Sequence, residues 1–258
     1  AKVQKGKKVS VTDKEGKVSE YSANHIIIAT GARSRELPNL PQDGVKVIGY
    51  RQALSLPTQP KSMIVVGSGA IGVEFADFYN TMGTKVTIVE FMPNIVPVED
   101  EEISKHLEKS LKKSGIDIMT NASVESVDTS GNGVKANVKT KDGNITLEAD
   151  ILLSAVGIAA NIENIGLEEV GIATDKGRVL VNEWYQTSVP GYYAIGDIIP
   201  TQALAHVASA EGITCVEKIK GMHVETIDYG NIPGCTYCHP EIASVGLTEK
   251  QAKEKGYE

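Results

Sequence analysis

Gly67, Gly69 and Gly72 form a Gly-x-Gly-x-x-Gly turn directly after the apolar run Met63-Ile64-Val65-Val66. Each glycine has a separate use. Gly67 permits a tight turn, Gly69 lets a pyrophosphate approach the backbone, and Gly72 lets the following helix pack close to a sheet. Ser68, Ala70, Ile71, Val73 and Glu74 complete the turn and the first helical positions. The free N–H groups and positive dipole end of that helix suit an anion. Glu90 closes the next apolar run, Lys85–Val89. It stands about 20 positions on, where a carboxylate binds both ribose hydroxyls of a dinucleotide. It would repel a 2′-phosphate, so the pattern favours NAD over NADP. A glycine turn that only packs strand on helix is the alternative. Strand, helix and acid in order favour dinucleotide binding.

Other residues carry weaker signals. Asp197 follows Tyr192-Tyr193-Ala194-Ile195-Gly196 and so ends a buried strand, where open α/β sheets bind ligands. A cap or loop role is equally compatible with that pattern. Thr30-Gly31-Ala32 and Gly157 end two further apolar runs, and such small residues admit a ligand or another backbone. Cys235-Thr236-Tyr237-Cys238-His239 fits a haem-attachment pattern and a Cys-x-x-Cys redox pair. Plain packing is the favoured reading, with no metal site, and Cys215 reads as a core residue.

These residues need elements to hold them. The spacing of Ile71, Phe75, Phe78 and Met82 predicts a helix after the glycine turn, stopping at Gly83. A second helix is expected over 100–114, with Ile103, Leu107 and Leu111 as its buried stripe and His106 exposed. A third is expected over 202–220, with Leu204, Val207, Ile213, Val216 and Ile219 facing the core. Alternating runs at 9–21 and 116–147, broken by Gly131-Asn132-Gly133 and Asp142-Gly143, predict two meanders. Thr248-Glu249-Lys250-Gln251 reads as a capping box.

Composition sets the outer limits. The chain has 258 residues, 41% hydrophobic and 23% charged, an ordinary globular composition with length for about two domains, and the strand–turn–helix–strand order makes its class α/β. A net charge of −7 argues against nucleic acid as the main partner. No apolar run approaches the roughly 20 residues of a membrane span. Three cysteines do not make a disulfide scaffold, so a cytoplasmic setting is expected.

Several stretches together resemble the flavin-dependent pyridine nucleotide–disulfide oxidoreductases. They are Ile28–Ala32, Gly67–Ala76, Ala155–Gly157, Tyr193–Asp197, Ala203–His206 and His239–Glu241 with Val245–Glu249. The resemblance implies a Rossmann-like NAD domain with a β-meander, flanked by parts of a second Rossmann-like domain for FAD and by the start of an α+β interface domain. It places FAD-domain segments at 1–48 and 176–228, the NAD domain at 49–175 and a dimerisation segment at 229–258. It implies that Thr30, Gly31, Ala32, Asp197, Ala203, Leu204, Ala205 and His206 face FAD. It adds Val124 and Gly157 to the NAD site, and puts Ile71 and Glu74 near the nicotinamide and flavin rings. Ile158-Ala159-Ala160-Asn161 lacks the basic residues many relatives carry there, in keeping with NAD.

The implied activity passes electrons from a dithiol such as dihydrolipoamide, on a lipoyl-bearing protein, through an enzyme disulfide and FAD to NAD in a homodimer. The family's N-terminal FAD motif, its redox cysteine pair and its C-terminal His–Glu pair have no counterpart in this sequence. A fragment without catalytic residues of its own, unable to turn over dihydrolipoamide alone, is therefore expected. A mercuric or NADH-dependent disulfide reductase and a non-catalytic NAD-binding module are the alternatives.

Overall fold

The computed structural model describes residues 1–257. The chain divides into two compact units. One joins Ala1–Arg33 with Ile158–Ile232, and the other joins Ser34–Gly157 with the residues from Pro233 on.

The second unit is built on a five-stranded sheet. Its order is Val47–Ile48, Ile151–Ser154, Ser62–Val66, Lys85–Val89, Asp117–Met119, and every pair is parallel. Such strands are covered on both faces, which explains the unbroken apolar runs. The helices Ala70–Thr81 and Glu101–Lys113 pack on one face, over Met63, Val65 and Ile88. The antiparallel meander Ser123–Asp128, Val134–Thr140, Gly143–Ala149 covers the other, where Val134, Ala136 and Val138 meet Ile64, Val66 and Leu152. A strand pair, Gly234–Thr236 with Ile242–Ser244, precedes the helix Glu249–Glu254, whose capping box of Thr248 and Gln251 forms as expected.

The first unit combines the antiparallel meander Lys2–Gln4, Lys8–Thr12, Val18–Ser22 with a parallel pair, Tyr192–Ala194 beside Ile26–Ile28. The helix Ala205–Ile219 follows a single 3-10 turn at Gly196–Ile198. Ile26, Ile28, Val179, Tyr192, Ala194 and Cys215 form the core of this unit.

Three helix faces differ from the expected ones. Ala70–Thr81 buries Gly72, Val73, Ala76, Asp77 and Tyr79, while Phe78 and Met82 are 55% and 56% exposed. Small residues face the sheet because the helix must lie close to the glycine turn; large side chains would hold it off. Glu101–Lys113 buries Ser104 beside Leu107 and Leu111, and Ile103 faces outward. Ser104 Oγ reaches the Val96 carbonyl, so a polar residue takes the third core position. Ala205–Ile219 buries Val207, Glu211, Thr214 and Cys215, leaving Ile213 and Val216 exposed. There a buried carboxylate with hydrogen-bond partners displaces the aliphatic stripe.

Candidate functional site: a glycine turn and a strand-end acid

In the second unit, the residues after Val66, Val89 and Ser154 meet at the carboxyl ends of three adjacent strands. Gly67 N–H donates to the Val89 carbonyl at 2.9 Å, and Ala155 N–H donates to the Val66 carbonyl at 2.8 Å. The turn is therefore stitched to both neighbours.

The three glycines behave differently. Gly67 has φ +95°, and a Cβ there would lie 2.4 Å from the Ala155 carbonyl oxygen. A Cβ on Gly72 would lie 2.1 Å from the Gly67 carbonyl oxygen. A Cβ on Gly69 would meet nothing within 4 Å. Gly67 and Gly72 are thus required by packing, whereas the space at Gly69 is open. Gly69 also caps the helix Ala70–Thr81 without a side chain, so the first-turn N–H groups have no side-chain acceptor there. Ala70 and Ile71 lie at that open helix start, and Val73 is fully buried.

Glu90 is only 6% exposed. Its Oε2 accepts from Ser68 N–H at 2.7 Å and from Ser68 Oγ at 2.6 Å, and its Oε1 accepts from Met92 N–H at 2.7 Å. Ser68, itself fully buried, also receives the Val96 N–H at its carbonyl. Val96 takes φ +40°, unusual for a β-branched residue, where the 91–99 loop folds back over the turn. At the neighbouring strand end, Ser154 Oγ is buried and has no hydrogen-bond partner among the described residues.

Val124 lies 5% exposed within the meander-side core, so only its backbone is available; its carbonyl accepts from Asn39 Nδ2. Gly157 is exposed at φ +102° with open space at its Cβ position. Glu74 is half-buried, and its Oε1 accepts from Tyr237 N–H at 2.8 Å. Asp77 Oδ2 lies 2.8 Å from His239 Nδ1, tying the same helix to the same C-terminal segment. Cys238 is buried beside them, and burial pushes its thiol up to about 12. The three cysteines are free, and no metal-holding cluster occurs among the described residues.

In the first unit, Thr30, Gly31 and Ala32 follow the strand Ile26–Ile28. Thr30 Oγ1 donates to the Asn161 carbonyl at 2.7 Å, and Asn161 Nδ2 returns a bond to the Thr30 carbonyl at 3.0 Å. Arg33 forks onto both oxygens of Glu163, at 3.0 and 2.9 Å, which draws the Glu163 carboxyl down to about 2. Asp197 sits in the Gly196–Ile198 turn at the carboxyl end of Tyr192–Ala194. Its carboxylate has no hydrogen-bond or ion-pair partner among the described residues. Ala203, Ala205 and His206 are exposed, and Leu204 caps the helix start without a side-chain bond. Sequence reasoning missed Glu211 and Ser154. Both are polar residues within apolar patterns, and burial was the only sign that would have singled them out.

The family model described as pyridine nucleotide-disulphide oxidoreductase matches residues 1–212. The chain belongs to that family. The model of the family's dimerisation domain matches residues 232–258. Among curated relatives, the dihydrolipoyl dehydrogenase of Rhizobium etli is 52% identical over 92% of this chain and 50% of its own length. That of Zymomonas mobilis is 45% identical over 96% of this chain and 53% of its own. The chain spans about half the length of these oxidoreductases. Among solved structures, LpdA from Mycobacterium tuberculosis has a TM-score of 0.89 at 32% identity, covering 99% of this chain and 56% of that one. The α/β architecture is the one these relatives share.

Proposed function

We propose that this chain is the NAD-binding part, with part of the FAD-binding part, of a dihydrolipoyl dehydrogenase. The observation that carries the reading is the Gly67–Gly72 turn, which is tight at Gly67 and Gly72 and open at Gly69, beside the buried acid Glu90. A pyrophosphate fits over Gly69, where its oxygens take N–H groups from the helix start. Glu90 keeps acceptor capacity beyond its bonds to Ser68 and Met92 and accepts the ribose hydroxyls. Fixed by those bonds, its carboxylate cannot turn away from a 2′-phosphate, so NAD is selected over NADP. The unpartnered Ser154 hydroxyl supports a polar ligand atom or a water at the same strand ends.

The unpaired Asp197 carboxylate fits the hydroxyls of a flavin's ribityl chain, with Thr30–Ala32 and the helix start at Ala203–His206 beside the same cofactor. FAD, when bound, supplies two-electron transfer between a thiol pair and nicotinamide. The residues of this chain bind, orient and exclude water. The whole protein acts on a lipoyl-bearing protein, works as a cytoplasmic homodimer through the segment from 232 on, and uses no nucleic acid or membrane partner. The 52% identity to a dihydrolipoyl dehydrogenase favours this reading over another flavin disulfide reductase, such as RclA of Escherichia coli, whose structure matches at 28% identity.

A visible spectrum of the purified chain before and after adding FAD, followed by fluorescence titration with NADH and NADPH, tests the reading. NADH binding at least tenfold tighter than NADPH is the expected result, and a flavin band surviving desalting would show that the Asp197 and Ala203–His206 half-site holds FAD by itself. Equal affinity for the two nucleotides, or none for either, would overturn the NAD assignment.

A further inference from the structure

Glu211 is fully buried, and no cation pairs with it among the described residues. A lone buried carboxylate is costly unless hydrogen bonds compensate it. Here they do. Oε2 accepts from Gly196 N–H at 2.6 Å; Oε1 accepts from Thr201 Oγ1 and from Tyr229 OH, both at 2.8 Å. An apolar side chain would fill the same volume in this core without needing three donors.

The donors sit on three segments that converge on one place. Gly196 opens the 3-10 turn at φ +71°, which turns its N–H toward the helix Ala205–Ile219. Thr201 follows the turn. Tyr229 comes from the last segment of the unit, and its hydroxyl also lies 3.0 Å from that of Tyr185. Tyr185 is 3% exposed and holds φ +63°, rare for a bulky residue. On the other side of the turn, Arg178 Nη1 donates to the carbonyl oxygen of Asp197. Glu211 thus holds the peptide unit before Gly196 and Arg178 holds the one after Asp197, while the Asp197 carboxylate stays unpartnered among the described residues.

We propose that Glu211 is a positioning residue that fixes the Gly196–Ile198 turn and so aims the Asp197 carboxylate outward toward a hydroxyl-rich ligand. That the ligand is the flavin rests on the function proposed above; the pinning of the turn does not. Thr201 and Tyr229 hold Glu211 in turn, so the loss of either loosens the Gly196 contact by a smaller step.

Amide hydrogen exchange, read by NMR on the 258-residue chain, tests the pinning. In Glu211→Ala the Gly196 amide exchanges at least tenfold faster relative to the amides of Tyr192–Ala194 in the same protein, and Glu211→Gln restores most of its protection. Tyr229→Phe, a milder change, speeds Gly196 a few-fold. If Gly196 moves only in step with the strand amides in every variant, Glu211 merely stabilises the unit and the proposal fails. FAD retention by Asp197→Asn and Glu211→Ala is measured in parallel. Weaker retention in both agrees with the proposal. Weaker retention in Asp197→Asn alone overturns the aiming of Asp197. Unchanged retention in both overturns the flavin reading, while the exchange data still decide the pinning.

Discussion

Ser68 gives one oxygen of Glu90 two hydrogen bonds, from its backbone N–H at 2.7 Å and from its Oγ at 2.6 Å. The acid at the end of one strand therefore holds the turn at the end of its neighbour. A residue expected to read a ribose is also part of the frame that shapes the glycine turn.

Under the proposed function Glu90 has two separable roles. Glu90→Ala leaves the buried Ser68 N–H and hydroxyl without acceptors and lowers stability by about 2–3 kcal/mol in urea unfolding. Glu90→Gln keeps the size and one acceptor oxygen. It costs about 1 kcal/mol and narrows the preference for NADH over NADPH at least fivefold. An unchanged preference in Glu90→Gln would show that the acid serves the fold alone.

Gly69 and Gly72 should respond in opposite ways. Alanine at 72 would push a Cβ to 2.1 Å from the Gly67 carbonyl, so Gly72→Ala loses at least about 2 kcal/mol. Alanine at 69 meets only open space, and the unfolding midpoint stays within about 0.5 kcal/mol of wild type. Under the proposed function its methyl occupies the pyrophosphate's approach, and NADH affinity drops tenfold or more. Equal losses of stability in the two variants would contradict this division.

The His239–Asp77 pair should give stability a shallow pH dependence. The hydrogen bond from His239 to Asp77, then the Asp77 charge, raise the imidazole above its ordinary value, with Glu241 adding to the effect. The raised folded value makes the contribution complete below the unfolded pKa of about 6.5, and it fades as pH climbs through the folded value. The His239 side chain is 88% exposed, so the effect is small. Melting temperatures of wild type and His239→Gln should differ more at pH 5.5 than at pH 8.5. A gap that widens with pH would refute the pairing.

The cysteines should react in order of burial. Cys235 is half-buried, whereas Cys215 and Cys238 are buried, with thiols pushed up to about 11 and about 12. A chromogenic disulfide reagent at pH 8 should titrate one thiol in the native chain and three in denaturant. Two fast native thiols would point instead to a working Cys235–Cys238 pair.

In the second unit, the strand–turn–helix order around Gly67–Gly72 and the meander after it are legible in the residues alone. Gly67–Gly72 after Met63–Val66, the acid at 90 and the Gly131-Asn132-Gly133 turn are local signals. Backbone sterics and hydrophobic period act over a few residues, so strand, turn and helix could be read from neighbours alone. The capping box at Thr248 and Gln251 was legible for the same reason. Which face of each helix turns inward, and what the polar residues meet there, depends on the folded chain. Phe78 and Met82 lie outside because Gly72 and Ala76 must lie against the sheet. Ile213 and Val216 lie outside because Glu211 finds its donors at Gly196, Thr201 and Tyr229, 10 to 18 positions away. Burial of a carboxylate depends on partners that only the folded chain brings together, and no local pattern encodes them.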